Sequence, residues 1–156
     1  MIISKQKQYN INNEIHKIHK SYVSALERKG LVCQKINELL CFQATTPLTA
    51  EQLLGKSPKG IDSKKFKVLA NKHILYTAQA EQCKQNMVKL FNPIINDILE
   101  SKYSSYPGYR NQLYQAGVIG VRLSMGQIYS DPYVHYCQRI VVEMHRFLND
   151  NGLIQL

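Results

Sequence analysis

Apolar side chains recur along this chain at steps of three and four residues, and no stretch alternates convincingly between apolar and polar. That spacing is the signature of helices with one buried face, and the missing two-residue period argues against a sheet. Ile11, Ile15, Ile18, Tyr22 and Leu26 predict a first helix, with Asn12 and Asn13 as cap candidates. It is expected to close near Arg28, Lys29 and Gly30. Val32, Ile36 and Leu39 or Leu40 predict a second, broken by the segment ATTPLT. Thr49 with Gln52 then forms a capping-box pattern for a short helix ending at Gly55. After the KSPKG loop, Asp62 is a plausible cap for a helix that turns Phe66, Leu69, Ile74 and Ala78 inward, with Met87 and Leu90 as its continuation. Asn92-Pro93 predicts a fresh start, with proline at the first helical position and Ile94, Ile95, Ile98 and Leu99 following. The turn-rich SSYPGY and the pair Asp131-Pro132 introduce the last two helices, and Asn151-Gly152 ends the final one. The expectation is an all-α, compact bundle of six or seven helices, forming a single helical domain over 1–156.

Residues 113–129, LYQAGVIGVRLSMGQIY, place three glycines inside an apolar run. Glycine disfavours a helix interior by about 1 kcal/mol relative to alanine, so its recurrence asks for a reason. On a helix Ala116, Gly120 and Ser124 form one stripe of small side chains, which Gly117 widens. Such a stripe lets a neighbouring backbone come close. Arg122 interrupts the run and disfavours a membrane dimer. A tight crossing within the core and a surface helix that docks on another protein both fit, and periodicity does not separate them.

With 20 Lys+Arg against 11 Asp+Glu, the formal charge is +9, which favours an anionic partner. Six lysines, Lys56, Lys59, Lys64, Lys65, Lys67 and Lys72, are opposed locally by Asp62 alone. They form either a solvated face or a strip facing phosphates. Cys33, Cys41, Cys83 and Cys137 include no C-x-x-C pair, the pattern of reduced, buried thiols. The start, MIISKQKQYN, lacks the apolar core of a signal peptide, and no apolar run approaches the roughly 20 residues of a membrane helix. A cytoplasmic protein with no membrane partner is expected. Gly55-Lys56-Ser57 looks like the end of a phosphate-binding loop, but Ala50 stands where that loop needs its first glycine. His16 and His19 share a helix face without a completing ligand, so no metal or other cofactor is expected.

The last helix interleaves rings with cations: Tyr133, His135, Tyr136, Arg139, His145 and Arg146. Rings can stack on unpaired bases while arginines hold phosphates; Tyr133 and Tyr136 suit a core equally well. Arg139 and His145 also resemble, loosely, the arginine–histidine motif of the HEPN family of helical ribonucleases. That likeness implies His145 as general acid/base and Arg139 on phosphate.

A broader likeness takes in residues 92–152. NPIINDILESKY leads through SSYPGY into NQLYQAGVIGV, and the chain later reads Glu143-Met144-His145-Arg146-Phe147-Leu148-Asn149-Asp150-Asn151-Gly152. In order and content this resembles the second conserved region of bacterial sigma factors, where D-L-x-Q-x-G-x-I-G-L precedes an aromatic-rich helix ending like E-I-Q-R-F-L-R-D-D-G. Gln112 replaces the acidic residue of the first motif. The resemblance implies a transcription regulator that docks on RNA polymerase through Leu113, Gln115, Gly117, Ile119 and Gly120. It also implies promoter or single-stranded DNA contacts by Tyr136, Arg139 and Arg146, without catalysis. LSMGQIYSDPYVHY is also similar to part of the helical drug-binding domain of some MerR-type regulators. The alternative to the sigma-like reading is a helical regulator that binds an unidentified protein or a small ligand without DNA, and the ribonuclease stands third.

Overall fold

A computed structural model describes residues 3–40, 63–127 and 129–154. Among them are four α-helices: α1 (Lys5–Leu40), α2 (Ser63–Lys102), α3 (Arg110–Ser124) and α4 (Pro132–Asp150). A 3-10 turn, Pro107–Tyr109, leads into α3. The fold is all-α, and among the described residues four helices replace the expected six or seven. The Thr49–Gln52 capping box, the Asp62 cap, the Gly55-Lys56-Ser57 fragment, Lys56, Lys59 and Cys41 lie outside the described residues.

The expected break at Gly30 does not occur, because α1 runs through it. Nothing lies within 4 Å of where a Gly30 side chain would begin, so no neighbour demands glycine there. Burial of Tyr22, Ala25, Val32 and Ile36 on both sides carries the helix across. Gly30→Ala is therefore expected to stabilise the protein by about 1 kcal/mol, read as a higher urea midpoint at unchanged slope.

The cap candidates Asn12 and Asn13 are likewise interior to α1. Ser4 is the side chain at the helix start, where its Oγ accepts from the Lys7 N–H at 3.1 Å. Asn12 caps a different helix. Its Oδ1 accepts from the Tyr133 N–H at 2.8 Å, and its Nδ2 donates to Asp131 Oδ1 at 3.1 Å. Gln8 donates to the other Asp131 oxygen at 2.8 Å. Asp131 does precede α4 and Pro132 does open it, but the Asp131 carboxylate makes no cap bond of its own.

Pro93, expected at a helix start, lies inside α2. Proline removes one ladder donor and crowds the carbonyl four residues back. Packing overrides that penalty: Phe91 and Ile95 are fully buried, and Ile94, Ile98 and Leu99 nearly so. Tyr114 Oη donates to Asn92 Oδ1 at 2.7 Å and Asn96 Nδ2 donates to Asn92 O at 3.0 Å, bracing the turn at the proline.

The packing clusters into two compact units, Met1–Lys20 with Cys83–Leu156, and Ser21–Gln82. In the second unit Val32 and Ile36 of α1 meet Phe66, Leu69 and Ala70 of α2. The buried series continues through His73, whereas Ile74 and Ala78, expected inside, are exposed. His73 is 2% exposed, and neither ring nitrogen has a hydrogen-bond partner. Burial, reinforced by the charge of Lys29, holds its pKa below the ordinary 6.5. A histidine whose folded pKa is depressed contributes stability above its unfolded value and loses it as pH falls through the folded one. Unfolding free energy is expected to fall below about pH 6.5, and less steeply in His73→Leu. Urea midpoints of the two proteins against pH measure the difference.

In the first unit, α3 crosses α4 on its small residues. A Cβ on Gly120 would lie 2.8 Å from the Arg139 carbonyl oxygen and 2.9 Å from the Ile140 Cα. One on Gly117 would meet the Met144 methyl at 2.8 Å and Ile95 at 3.1 Å. Ser124 Oγ turns back to the Gly120 carbonyl at 2.9 Å, so its hydroxyl is satisfied in the same seam. Gly126, at φ 93°, takes the left-handed conformation in the link to α4. α4 ends as expected: Gly152 is left-handed, its N–H reaches Asn149 O, and the Leu153 N–H reaches Leu148 O at 2.9 Å. No helix among the described residues is long and apolar enough to cross a membrane.

Candidate functional site

Of the eight residues singled out on α3 and α4, Leu113, Gly117, Gly120 and Tyr136 are buried, Arg139 is half-buried, and Gln115, Ile119 and Arg146 are exposed. Tyr136 is 1% exposed, with its ring stacked on Phe91 at 4.9 Å between centroids and 11° between planes. Tyr129 meets its edge at 6.3 Å. A ring enclosed in this way offers no face to a nucleotide base, so the stacking role implied for Tyr136 has no support in this packing. Leu113, Gly117 and Gly120 are also buried, in the contact of α3 with its neighbours. Gln115 and Ile119 are exposed.

Arg139 and Arg146 converge on one carboxylate that the sequence reading passed over. Glu143 accepts from Arg146 Nη1 through both oxygens, at 2.9 and 3.0 Å, and pairs with Arg139 Nη2 at 3.2 Å. Its side chain is only 7% exposed, against 36% for Arg139 and 53% for Arg146. A nearly buried carboxylate requires such partners. Glu143 stands four residues after Arg139 and three before Arg146, the spacing at which helix side chains meet. That signal was available in the sequence. The cluster keeps one net positive charge, and most of what reaches solvent belongs to Arg146.

Between α3 and α4 lies an open groove of about 500 Å³. Ala116, Ile119 and Phe147 give it apolar surface, while Gln115, Arg146 and Asp150 supply polar groups. Small residues at the crossing bring the two helices together, and the larger Ile119 and Phe147 stand beside it. Tyr109 abuts Phe147 at 6.1 Å between ring centroids.

His145 takes no part in this groove. It packs edge-on against Tyr103 at 5.5 Å, and its Nδ1 is buried without a hydrogen-bond partner. Burial and the neighbouring Tyr106 push the Tyr103 phenol up to about 12. Six residues of helix rotate the chain by about 240°. Arg139 and His145 are thus directed to different neighbours, which withdraws geometric support from the ribonuclease reading. Among the described residues no three His, Cys, Asp or Glu side chains gather as a metal site. Cys33, Cys83 and Cys137 are free thiols, each with its pKa raised chiefly by burial. No protein-family model matches the chain, and no curated protein or solved structure matches it either.

Proposed function

We propose that this chain is a helical regulator that works by docking on a protein partner through the groove between α3 and α4. The resemblance noted above names the clamp of RNA polymerase as that partner. One observation carries the reading: of the five positions assigned to polymerase contact, Gln115 and Ile119 are exposed on the groove. The remaining three, Leu113, Gly117 and Gly120, hold α3 in place from within. An apolar centre edged by amides and charges is the composition of a recognition surface.

The test is retention of purified core RNA polymerase on the immobilised protein. Ile119→Asp and Gln115→Ala each change an exposed side chain and leave the helix crossing intact. Loss of about ten-fold or more in affinity at unchanged melting temperature fits docking through Ile119. Failure of the unmodified protein to retain polymerase rejects that partner. Gly120 is unsuited to this experiment, because its substitution disturbs the crossing itself.

A DNA-binding limb of the same function would rest on Arg146, helped by Arg139, and on the net charge of +9. Binding of single-stranded promoter DNA at low salt, weakened by Arg146→Gln and steeply by added salt, is its expected signature. Without that binding, the protein acts as an interaction module alone.

A further inference from the structure

The first eighteen residues of α2, Ser63–Ala80, contain four lysines and no carboxylate. One side of this segment is committed to the core through Phe66, Leu69, Ala70, His73 and Ala80. At about 100° per residue, the opposite side is a line through Lys64, Val68, Asn71 and Leu75. Lys65 and Lys72 flank that line on one edge, Lys67 and Ile74 on the other. All four lysines are exposed. Val68 and Leu75 are 53% and 52% exposed, and Ile74 is 37% exposed. The face is therefore an aliphatic ridge with cations on both sides, and on its Lys65 edge Lys35 and Glu38 of α1 line a recess with Val68.

We propose that this face of α2 is a peripheral docking surface for an anionic lipid bilayer. Val68 and Leu75 enter the boundary between headgroups and acyl chains, with Ile74 at its margin. Lys67 and Lys72 lay their methylene stems along the ridge and extend their ammonium groups to lipid phosphates and carboxylates, while Lys64 and Lys65, which are engaged within the chain, add to the positive field. A polynucleotide would pair with the same lysines but leave Val68 and Leu75 facing water. The segment also has no arginine, and its half-buried aromatic, Tyr76, is met by Arg28 at 6.0 Å. Exposed aliphatics between lysines thus favour lipid over nucleic acid. The sequence alone suggested no membrane partner, because it did not place Val68, Ile74 and Leu75 together on the outside. The surface shares no residue with the α3–α4 groove, so either proposal can fail without the other.

The test is sedimentation of the full chain with phosphatidylcholine vesicles, with and without about 30% phosphatidylserine, near physiological salt. Binding is expected to the anionic vesicles and not to the neutral ones. Lys67→Gln and Lys72→Gln are each expected to weaken it by about five-fold. Val68→Ser with Leu75→Ser is expected to weaken it by about ten-fold or more, with no loss of melting temperature because both side chains are already exposed. Three results overturn the proposal. One is no sedimentation with anionic vesicles. Another is equal binding by the double serine variant. The third is an oligonucleotide that binds through these lysines while vesicles do not.

Discussion

Gly120→Ala is expected to lower the unfolding free energy by about 2 kcal/mol, although alanine is normally the better helix former. The added methyl would meet the Arg139 carbonyl oxygen at 2.8 Å and the Ile140 Cα at 2.9 Å. Both contacts are backbone, so α3 and α4 must separate to admit it. Gly120→Leu adds three more carbons at the same point and is expected to leave no cooperative urea transition. Gly117→Ala makes the contrast. Its closest contact, also at 2.8 Å, is the end of the Met144 side chain, which can swing aside. Its cost is expected to stay within about 1 kcal/mol. With Gly30→Ala, the three substitutions rank glycines by what lies opposite them: open water, a movable methyl, a fixed backbone. Urea unfolding of the series measures that order, and an equal loss at Gly117 and Gly120 would contradict it.

Tyr136→Ala is expected to cost more, roughly 3–5 kcal/mol, the range for truncating a large buried aromatic residue. The ring is 1% exposed and stacked on the fully buried Phe91, so its removal opens a void that neither helix can close. A surface ring kept for stacking on bases would leave the melting temperature nearly unchanged. Thermal unfolding of Tyr136→Ala thus separates a core role from a DNA-contact role without any nucleic acid present. A change within about 0.5 kcal/mol would restore the stacking role.

Features written in neighbouring residues were legible in the sequence, and features decided by distant ones were not. Pro132 opens α4 and Asn151-Gly152 closes it, because a first-turn proline and a left-handed glycine act within a turn of their own position. Gly30 and Asn92-Pro93 carried equally strong local signals and yet interrupt nothing. Their penalties, about 1 and 3 kcal/mol, are outweighed by apolar burial on either side of each. On α2 the sequence placed Ile74 inside, whereas His73 occupies the buried position. Hydropathy ranks isoleucine first, but the phase fixed by Phe66, Leu69 and Ala70 selects residue 73. The candidate site divides in the same way. The small-residue stripe and the arginines were readable, but which residues line a groove depends on how α4 is rotated against α3.

The Asn12 cap has a consequence for the order of folding. α3 and α4 are sequence neighbours and meet by a short loop closure, so their pairing is fast. The hydrogen bond that locks the first turn of α4 comes from a side chain 121 residues earlier, beyond most of the intervening chain. Closure over that separation belongs to the late stages of assembly. Asn12→Ala is therefore expected to leave the refolding rate almost unchanged and to speed unfolding, as stopped-flow chevrons would measure. A contact between opposite ends of the chain acts as a latch on a hairpin that has already formed.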